Sequence, residues 1–357
     1  MRAAVFENLD QPTEVRDVDL NGPEAGEVLV KVTACGVCHS DLHVMARMPG
    51  PAIFGHEAAG IVEAVGQGVD DLQPGDHVVC AFHPSCGRCY YCVRGLPQIC
   101  DRTDFPDRGA GGSNPRLRLD GKPVRQGIGV GGFAEYTCMP RGGVVKVRED
   151  APLDIVGLVG CGVTTGIGAA INTAKVKPGS TVAVIGCGGV GLNVIQGAKL
   201  AGAYRIIAVD TVPYKLELAQ QFGATHAVNS ANENAVTTVQ QLADGHLDYA
   251  FEVVGLPVTV RQAWDMIRPG GMAVVVGLGR EEVSIPLGGF LQEKKLIGSL
   301  YGSASIQADI PRIIDLYMDG RILLNELVSK QRPLAEVNEA FADMEAGTVA
   351  RSVLLPS

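Results

Sequence analysis

The sequence predicts an α/β protein in which a doubly wound parallel sheet is combined with a second, β-rich domain. After Pro152, β-branched runs such as "TVAVI" and "RIIAVD" alternate with helical segments such as "GLNVIQGAKLAG". This alternation predicts parallel strands covered by helices on both faces. Before residue 80, runs such as "EVLVKVTA" and "AGIVEAV" are separated by Gly and Pro turns, which predicts a β-rich domain. Between the two regions, a cysteine cluster marks a separate lobe.

The predicted elements follow one another in a simple order. The stretch from Arg2 to about Val79 is β-rich, residues 80–101 form the cysteine lobe, and residues 102–131, which are polar and Gly-rich, form a long surface excursion. The later predicted strands include "HAVN", "LDYAFEVVG" and "GGMAVVVGLG", and the helices include "PYKLELAQQFG" and "VTTVQQLAD". The tail, from about Tyr301, contains the helix "DIPRIIDLYMDG" and the strand "ARSVLLP". We therefore expect one domain at 1–162 and 301–357, and the other at 163–300.

Size and charge exclude several classes of protein. The chain has 357 residues, 46% of them hydrophobic, which is enough for a buried core and two domains. Its net charge of -9 and the lack of a basic run argue against a nucleic-acid partner. The first residues lack the apolar core of a secretory signal, and no apolar run is long enough to cross a bilayer. We expect a cytoplasmic protein with no membrane partner.

The cysteine lobe has the spacing of a metal site. Cys86, Cys89, Cys92 and Cys100 form the pattern C-x2-C-x2-C-x7-C. A reducing cytosol keeps thiols unpaired, and four thiolates on a tight turn can surround one tetrahedral Zn²⁺. We interpret the cluster as a structural zinc site without an open position; buried cysteines that bind nothing, or an iron–sulfur cluster, are the alternatives. The chemistry of the protein must then lie elsewhere.

A glycine-rich turn predicts a dinucleotide site. Gly186, Gly188 and Gly191 form G-x-G-x-x-G between a predicted strand and a predicted helix, and Asp210 ends the next strand. This context is typical of the Rossmann fold, in which the turn and the helix N-terminus bind a pyrophosphate; the alternative is an ordinary strand–helix turn. Asp210 can bind ribose hydroxyls and would repel a 2′-phosphate, so NAD is favoured over NADP. Lys215 either contacts the ribose or is a solvated charge on a helix.

A second group of potential ligands is scattered along the chain. "ACGVCHSDLH" contains Cys38, "FGHEAAG" contains His56 and Glu57, and "GCGVTTG" contains Cys161. Their separation is too wide for spacing alone to define one site. A single cysteine is more often a small buried hydrophobe than a ligand, so these residues by themselves leave both interpretations open.

The order of the motifs resembles a known family. "CGVCHSDLH", "GHEAAGIVEAVG", "PGDHVV", the four-cysteine lobe, "GCGVTTG" and "GCGGVG" follow one another over nearly the whole chain. In this order they resemble the zinc-dependent alcohol dehydrogenases of the medium-chain dehydrogenase/reductase superfamily. The resemblance implies a Rossmann domain and a GroES-like catalytic domain that carries the structural-zinc lobe. It also implies a catalytic zinc bound by Cys38, His56 and Cys161, a ligand set that comes with the family.

The resemblance further implies the reaction and the roles of other residues. The reaction is the reversible, NAD-linked oxidation of primary alcohols to aldehydes, with hydride transfer from a zinc-bound alkoxide. Asp41 and Glu57 match carboxylates behind the metal ligands, whereas Ser40 and His43 match a proton relay that ends at an imidazole able to exchange protons near neutral pH. The positions that match coenzyme contacts are His39, Thr165, Val190, Leu278 and Arg351, the last facing the phosphates.

The predicted substrate pocket departs from the family pattern. Phe82 matches an aromatic residue beside the zinc, and Gly127 stands next to Ile128 where the animal and plant enzymes carry a bulky aromatic side chain. Because an aromatic ring covers roughly 150–250 Å², its replacement by glycine predicts a roomier channel that accepts bulky or aromatic primary alcohols.

Two alternative functions and one assembly state accompany this interpretation. A glutathione-dependent formaldehyde dehydrogenase would need a basic anchor, for which Arg116, Arg118 and Arg125 are candidates. A catalytically inactive, zinc-stabilised binding protein is the alternative from another class, although none of the metal-ligand positions is missing. The resemblance also implies a homodimer or homotetramer formed through edge strands of the coenzyme domain.

Overall fold

The computed structural model describes residues 1–101 and 116–356. The chain divides into two compact units, one formed by Met1–Cys161 with Ser305–Ser357 and the other by Gly162–Ala304. These boundaries lie within a few residues of the predicted ones. The unit that contains both chain ends is called the catalytic unit below, and the other is called the dinucleotide unit.

Strands and helices are numbered in chain order. The strands are β1 (Arg2–Phe6), β2 (Glu14–Asp17), β3 (Asp19–Leu20), β4 (Glu27–Gly36), β5 (Ala52–Ile53), β6 (Glu57–Val65), β7 (His77–Cys80), β8 (Leu117–Leu119), β9 (Lys122–Gln126), β10 (Tyr136–Pro140), β11 (Val144–Lys146), β12 (Thr181–Ile185), β13 (Arg205–Asp210), β14 (His226–Asn229), β15 (Tyr249–Glu252), β16 (Met272–Val275), β17 (Lys295–Gly298), β18 (Val328–Pro333) and β19 (Arg351–Leu355). The helices are α1 (His39–Met45), α2 (Leu153–Val156), α3 (Gly162–Gly168), α4 (Gly189–Leu200), α5 (Pro213–Phe222), α6 (Ala235–Leu242), α7 (Pro257–Met266), α8 (Leu287–Leu291), α9 (Ile306–Met318) and α10 (Val337–Glu345).

Two sheets build the catalytic unit. One has the order β2-β1-β5-β9-β8-β3, and the other has the order β11-β7-β6-β4-β19-β18 with β10 also paired to β4. The long antiparallel pair β4–β6 is central to the second sheet and places Gly36 opposite Glu57. Alternate residues of β4, such as Val28, Val30 and Val32, are fully buried, as expected when one face of a strand packs on a core. The predicted β-rich character of this region is confirmed.

The dinucleotide unit is a six-stranded sheet in the order β14-β13-β12-β15-β16-β17. Each of its neighbouring strands is paired in parallel. The chain reverses its direction of progress across the sheet between β12 and β15, which is the position where doubly wound folds bind their ligands. Core strands β12 and β13 are almost entirely buried because helices cover a parallel sheet on both faces. The predicted fold class is therefore confirmed.

The prediction that residues 102–131 form a surface excursion is wrong for the second half of that segment. Residues 102–115 lie outside the described residues, but Leu117–Leu119 and Lys122–Gln126 form an antiparallel hairpin. Its apolar side chains, including Leu117 and Val124, are buried in the catalytic core. The turn is Asp120–Gly121, with both residues at positive φ (51° and 76°). "RLRLDG" therefore contained the alternation and the Asp-Gly turn of a hairpin, a signal that its polar neighbours obscured.

The helices of the described residues are short compared with the thickness of a bilayer. Within residues 1–101 and 116–356, no single helix is long and apolar enough to cross a membrane. In this part of the chain, one bent pair of helical segments, Leu153–Gly160 and Gly162–Thr173, reaches the required length and composition when the two are taken together.

Candidate active site and metal centres

The β4–β6 pairing brings Cys38 and His56 together. Cys38 follows the end of β4 by two residues and His56 immediately precedes β6, so the register Gly36↔Glu57 places both at the same end of the sheet. Both residues are buried, with Cys38 4% and His56 1% exposed. The antiparallel register thus brings Cys38 and His56 close together although they are far apart in the sequence.

Two glycines let Glu57 and Cys161 approach this point. A Cβ atom on Gly36 would lie 2.4 Å from the Glu57 carboxylate, and one on Gly157 would lie 2.8 Å from the Glu57 carbonyl oxygen. Gly157 begins the short turn that leads to Cys161, so its lack of a side chain allows that turn to pack directly on β6. Donor atoms of Cys38, His56, Glu57 and Cys161 consequently all lie within 4.8 Å of one another.

Asp41 connects the two ligand-bearing segments. One oxygen of its fully buried carboxylate accepts hydrogen bonds from His56 Nδ1 (2.9 Å) and the Gly55 amide (3.2 Å), and the other accepts from the Cys38 amide (3.3 Å). A hydrogen on Nδ1 that is donated to Asp41 leaves the Nε2 lone pair of His56 directed elsewhere. Nε2 lies 3.2 Å from Cys161 Sγ, inside the cluster.

The titratable groups of the cluster shift one another's pKa values. The hydrogen bond from Cys161 lowers the pKa of Cys38 well below its usual range, whereas Cys38 and burial raise the pKa of Cys161. Burial lowers the pKa of His56, but Asp41 and Cys38 together outweigh burial and raise it. Arg351 lies 3.5 Å from Glu57, and Glu57 with the two thiols raises its pKa although burial lowers it. The site thus concentrates anionic groups beside one buried guanidinium.

This set of donors fits a zinc ion. Two thiols and an imidazole nitrogen that is oriented by a carboxylate are the ligands Zn²⁺ prefers, and three protein ligands are typical of a catalytic site with one exchangeable position. Zinc binds cysteine as the thiolate, so occupation of this site would displace any proton that Cys38 or Cys161 carries. Cys38, His56 and Cys161 would hold the ion, with Glu57 and Arg351 next to it.

The cysteine lobe forms a second cluster with a different geometry. The Sγ atoms of Cys86, Cys89, Cys92 and Cys100 lie within 4.8 Å of one another, and the ten cysteines of the chain are all free thiols. Backbone amides donate to three of the sulfurs, at 3.3–3.5 Å. Two of the sulfurs, those of Cys89 and Cys100, are 3.8 Å apart. This separation matches the edge of about 3.8 Å of a tetrahedron with Zn–S bonds of ~2.3 Å. The lobe therefore fits a closed structural zinc site.

In the dinucleotide unit, each glycine of the predicted fingerprint has a distinct environment. Gly186 has φ +94°, and a Cβ atom on it would lie 2.7 Å from Val254. A Cβ atom on Gly191 would lie 1.8 Å from the Gly186 carbonyl oxygen, so only glycine lets the helix approach the strand. By contrast, a Cβ atom on Gly188, the residue before α4, would have no atom within 4 Å. The open space in front of this helix fits a pyrophosphate.

The end of β13 carries the predicted ribose ligand. Asp210 accepts hydrogen bonds from the Cys187 amide (2.8 Å) and the Val212 amide (3.0 Å), which fix its carboxylate beside the glycine-rich turn. Lys215 lies in the first turn of α5, and its charge lowers the pKa of Cys187, although burial raises that pKa overall. The charge of Lys215 thus acts close to the turn.

The other predicted coenzyme positions divide between the units. Thr165 and Val190 are half-buried in α3 and α4, and Leu278 is 50% exposed in the loop after β16. His39 and Arg351 belong to the catalytic unit, where His39 is exposed and Arg351 is buried against Glu57. Their contact with a coenzyme stays a prediction.

The predicted relay and the aromatic wall lie on the catalytic unit. Ser40 is half-buried and His43 is exposed, and a spacing of three residues puts them on the same face of α1. The ring of Phe82 stands edge-on to His56, with ring centroids 5.7 Å apart. Phe82 is thus next to the metal cluster, as the resemblance implied.

Gly127 does not open a space. This residue is buried, and a Cβ atom on it would lie 2.7 Å from the Phe54 ring and 2.9 Å from the Ile53 carbonyl oxygen. The contact corrects the expectation that glycine at this position leaves a roomier channel, because Phe54 occupies the volume. Its neighbour Ile128 is half-buried and has φ +50°, which is rare for a β-branched residue.

A parallel-sheet unit with a glycine-rich turn, joined in one chain to a buried Cys–His–Cys cluster, defines the class of metal-dependent dehydrogenases. Comparison with known families agrees with this class: the alcohol dehydrogenase GroES-like domain matches residues 24–149, and the zinc-binding dehydrogenase domain matches residues 189–319. The chain belongs to the zinc-dependent alcohol dehydrogenases of the medium-chain dehydrogenase/reductase superfamily, and it is an oxidoreductase that acts on CH–OH groups.

Individual relatives cover the chain almost completely. It is 42% identical to an NDMA-dependent alcohol dehydrogenase of Amycolatopsis methanolica, over 100% of this chain and 99% of the relative. It is 39% identical to an S-(hydroxymethyl)glutathione dehydrogenase of Paracoccus denitrificans, over 99% of each. Among solved structures it is similar to benzyl alcohol dehydrogenase from Acinetobacter calcoaceticus, with a TM-score of 0.94, 35% identity and coverage of 100% and 99%.

Sequence reasoning missed Gln126, which hydrogen-bonds to the end of the turn that contains Ile128. The buried amide of Gln126 donates to the Val130 carbonyl (2.6 Å), the Thr137 hydroxyl (2.8 Å) and the Cys138 carbonyl (3.1 Å). Nothing in the sequence distinguishes a glutamine that binds backbone from one on the surface, so no signal was available.

Proposed function

We propose that the protein catalyses the reversible, NAD-linked oxidation of primary alcohols, aromatic ones included, to aldehydes at a zinc ion held by Cys38, His56 and Cys161. A second zinc on the cysteine lobe has a structural role. The observation that carries this proposal is the buried cluster of four donor groups within 4.8 Å, in which Asp41 already orients His56. The similarity to a benzyl alcohol dehydrogenase supports an aromatic substrate.

The chain's own residues have defined tasks in this reaction. When bound, zinc supplies a Lewis acid, and the nicotinamide ring accepts or returns the hydride. The thiolates of Cys38 and Cys161 balance the 2+ charge, and Asp41 keeps the Nε2 lone pair of His56 available. Phe82 lines the site with an apolar ring, which limits water around the reacting carbon.

The hydroxyl proton of the alcohol needs a route to solvent. Ser40 is the half-buried hydroxyl near the start of α1, and His43 lies one turn further on, where it is exposed to water. Ser40 accepts the proton of the alcohol as it releases its own hydroxyl proton towards His43, and His43 passes a proton to solvent. Ser40→Ala is expected to reduce kcat without loss of zinc, whereas His43→Gln is expected to alter the pH dependence of kcat. Unchanged kinetics in both variants would contradict this route.

Asp210 supports NAD as the coenzyme. Its carboxylate is anchored by two backbone amides at the end of β13, where it can accept hydrogen bonds from ribose hydroxyls and repel a 2′-phosphate. Assays with NAD, NADP and NDMA as acceptors, on zinc-loaded protein and with alcohols from ethanol to benzyl alcohol, test the proposal. Turnover of a primary alcohol with NAD is expected. Failure to oxidise any alcohol with any of the three acceptors would refute it.

A glutathione-dependent formaldehyde dehydrogenase is the second candidate function, because a relative at 39% identity carries that activity in its name. The predicted anchors argue against it. Arg116 is buried and binds Glu27 (2.8 Å) and Glu24 (2.6 Å), and Arg118 donates to the Gly121 carbonyl oxygen. Of the three predicted anchors, only Arg125 has no such bond among the described residues. Formaldehyde oxidation that requires added glutathione would favour this second function.

We also propose a homodimer or homotetramer in the cytoplasm. Strand β17 is at the edge of the dinucleotide sheet, and the adjacent α8 exposes Leu287 (81%) and Leu291 (89%). Exposed apolar side chains beside an unpaired edge favour pairing with a second copy. A reducing compartment would keep both sets of thiols available for metal. Sedimentation of the purified protein and fractionation of cells test these two statements.

A further inference from the structure

The turn Gly127–Gly131 contains the unusual backbone of Ile128. Ile128 has φ 50° and ψ 28°, in the left-handed region that a β-branched side chain disfavours. Gly129 and Gly131 also have positive φ, at 73° and 64°. Strain of this kind persists only where the surrounding structure imposes it, and it is concentrated at functional sites.

Gln126 imposes this conformation. Its amide donates to the Val130 carbonyl (2.6 Å), the Thr137 hydroxyl (2.8 Å) and the Cys138 carbonyl (3.1 Å), and the Thr137 hydroxyl also donates to the Val130 carbonyl. The Val130 carbonyl is therefore bound by two side chains that lie outside the turn. Within the turn, the Val130 and Gly131 amides both donate to the Gly127 carbonyl, at 3.2 and 3.3 Å.

Both ends of the turn are attached to the segment that leads into His56. Gln126 is paired with Ile53 in the parallel pair β5–β9, and the Gly132 amide donates to the Gly55 carbonyl at 2.7 Å. A Cβ atom on Gly129 would lie 3.4 Å from the Phe82 carbonyl oxygen. The turn is thus attached to the segment that ends just before His56, and it also packs against the backbone of Phe82.

We infer that Gln126 is a positioning residue for substrate specificity: by holding the turn at Ile128 in its left-handed form, it fixes the wall that this turn presents beside Phe82 and His56. The inference rests on the proposed alcohol dehydrogenase function. Gln126 touches no reacting atom in this role. It acts through the backbone of residues 127–131, and the side chain whose position it fixes is that of Ile128.

The test is a double-mutant cycle on substrate discrimination. The measured quantity is the ratio of kcat/KM for benzyl alcohol to kcat/KM for ethanol, in zinc-loaded protein with the acceptor that supports turnover. Ile128→Gly removes the side chain and suits a positive φ, and it is expected to raise the ratio about tenfold. Gln126→Leu keeps the side-chain size but loses the amide NH₂ group that makes all three contacts, and it is expected to raise the ratio severalfold. In the Ile128→Gly background, Gln126→Leu is expected to have no further effect on the ratio.

Two further measurements separate positioning from general damage. Hydrogen exchange of the Val130 and Gly131 amides is expected to accelerate in Gln126→Leu, whereas zinc content is expected to stay unchanged. Gln331→Leu is the control, because Gln331 donates one bond to Asp154 on the surface of the same unit. It is expected to leave the ratio as in the wild type.

Three outcomes would overturn the inference. An unchanged ratio in an active Gln126→Leu variant would do so, as would unchanged exchange of the Val130 and Gly131 amides. An equal shift in the wild-type and Ile128→Gly backgrounds would show that Gln126 does not act through Ile128. In each of these cases the wild type still oxidises alcohols and the proposed function stands. A wild type that oxidises no alcohol would instead refute the proposed function, and the inference with it.

Discussion

Asp41 is the residue whose replacement most directly tests the metal site. In Asp41→Asn, the remaining oxygen can still accept from His56 Nδ1 and the Gly55 amide, which share one carboxylate oxygen in the native protein. The new NH₂ group replaces the oxygen that accepts from the Cys38 amide, so two donors face each other next to a metal ligand. The substitution keeps the shape of the side chain but disturbs the positions of both Cys38 and His56.

The size of the effect follows from two independent estimates. A buried donor without an acceptor costs about 1–3 kcal/mol, and Asp41 is fully buried. Loss of a carboxylate that orients a metal-bound histidine reduces metal affinity about 10- to 100-fold, which corresponds to roughly 1.4–2.7 kcal/mol. We therefore expect zinc at Cys38, His56 and Cys161 to bind about tenfold to a hundredfold more weakly, and turnover to fall in parallel when zinc is limiting.

Release of zinc to a competing chelator is the appropriate assay. The wild type is expected to lose its two zinc ions in separate phases, only one of which is accompanied by loss of activity. Asp41→Asn should accelerate that phase alone and leave the phase from the cysteine lobe unchanged. Asp76→Asn is the matched control, because Asp76 is a buried carboxylate of the same unit whose partners are Lys146 and the Gln73 amide. Equal acceleration of both phases, or an unchanged rate in Asp41→Asn, would refute the assigned role of Asp41.

Three further predictions follow from the same geometry. Gly188→Ala should fold normally but weaken NAD binding at least tenfold in a titration, because its Cβ enters the open space where the pyrophosphate is expected. Gly191→Ala should lower the melting temperature, because its Cβ would lie 1.8 Å from a carbonyl oxygen. Equal behaviour of the two variants would contradict the assignment of this turn as the pyrophosphate site. Cys100→Ser should remove one zinc, as measured by metal analysis, and lower the melting temperature. When kcat is normalised by titration of the active sites that remain folded and zinc-loaded, it should be unchanged. Asp76→Asn should reduce the free energy of unfolding at neutral pH. Burial raises the pKa of Asp76, but the hydrogen bonds from Lys146 and the Gln73 amide, together with the charge of Lys146, outweigh burial and lower it. The stabilisation is present above the unfolded pKa of about 3.9 and is lost as the pH falls through the lower folded value, so the wild type and the variant should converge in urea unfolding below about pH 4.

Local patterns in the sequence predicted much of the fold and of the two metal sites. The glycine-rich turn at 186–191 was predictable because its three glycines, the strand before them and the helix after them are consecutive in the sequence. The cysteine lobe was predictable for the same reason, since its four ligands lie within fifteen residues of one another and need only a tight turn. The hairpin at Leu117–Gln126 was missed although its alternation and its Asp-Gly turn were present, because neighbouring polar residues dominated the interpretation.

The sequence pattern could not predict contacts between segments that are distant along the chain. Gly127 was expected to leave space, but Phe54, which directly follows β5 more than seventy residues earlier, fills it. Arg116 was considered as an anchor for a substrate carboxylate, but Glu24 and Glu27 bind it inside the catalytic unit. Side-chain size and charge are visible in a sequence, whereas the partner that neutralises a charge or fills a volume is not.

The sequence by itself determined which chemical groups this protein has: a pyrophosphate turn, a four-thiol lobe, and the separate motifs that carry Cys38, His56 and Cys161. Only the tertiary structure decided that the last three form one site. The register of β4 against β6 sets Gly36 opposite Glu57, and Gly157 admits the turn that carries Cys161. A strand register depends on packing over the whole sheet, and a shift by one residue would turn every side chain to the opposite face. The sequence therefore specifies the metal ligands, but the register of the folded sheet brings them together.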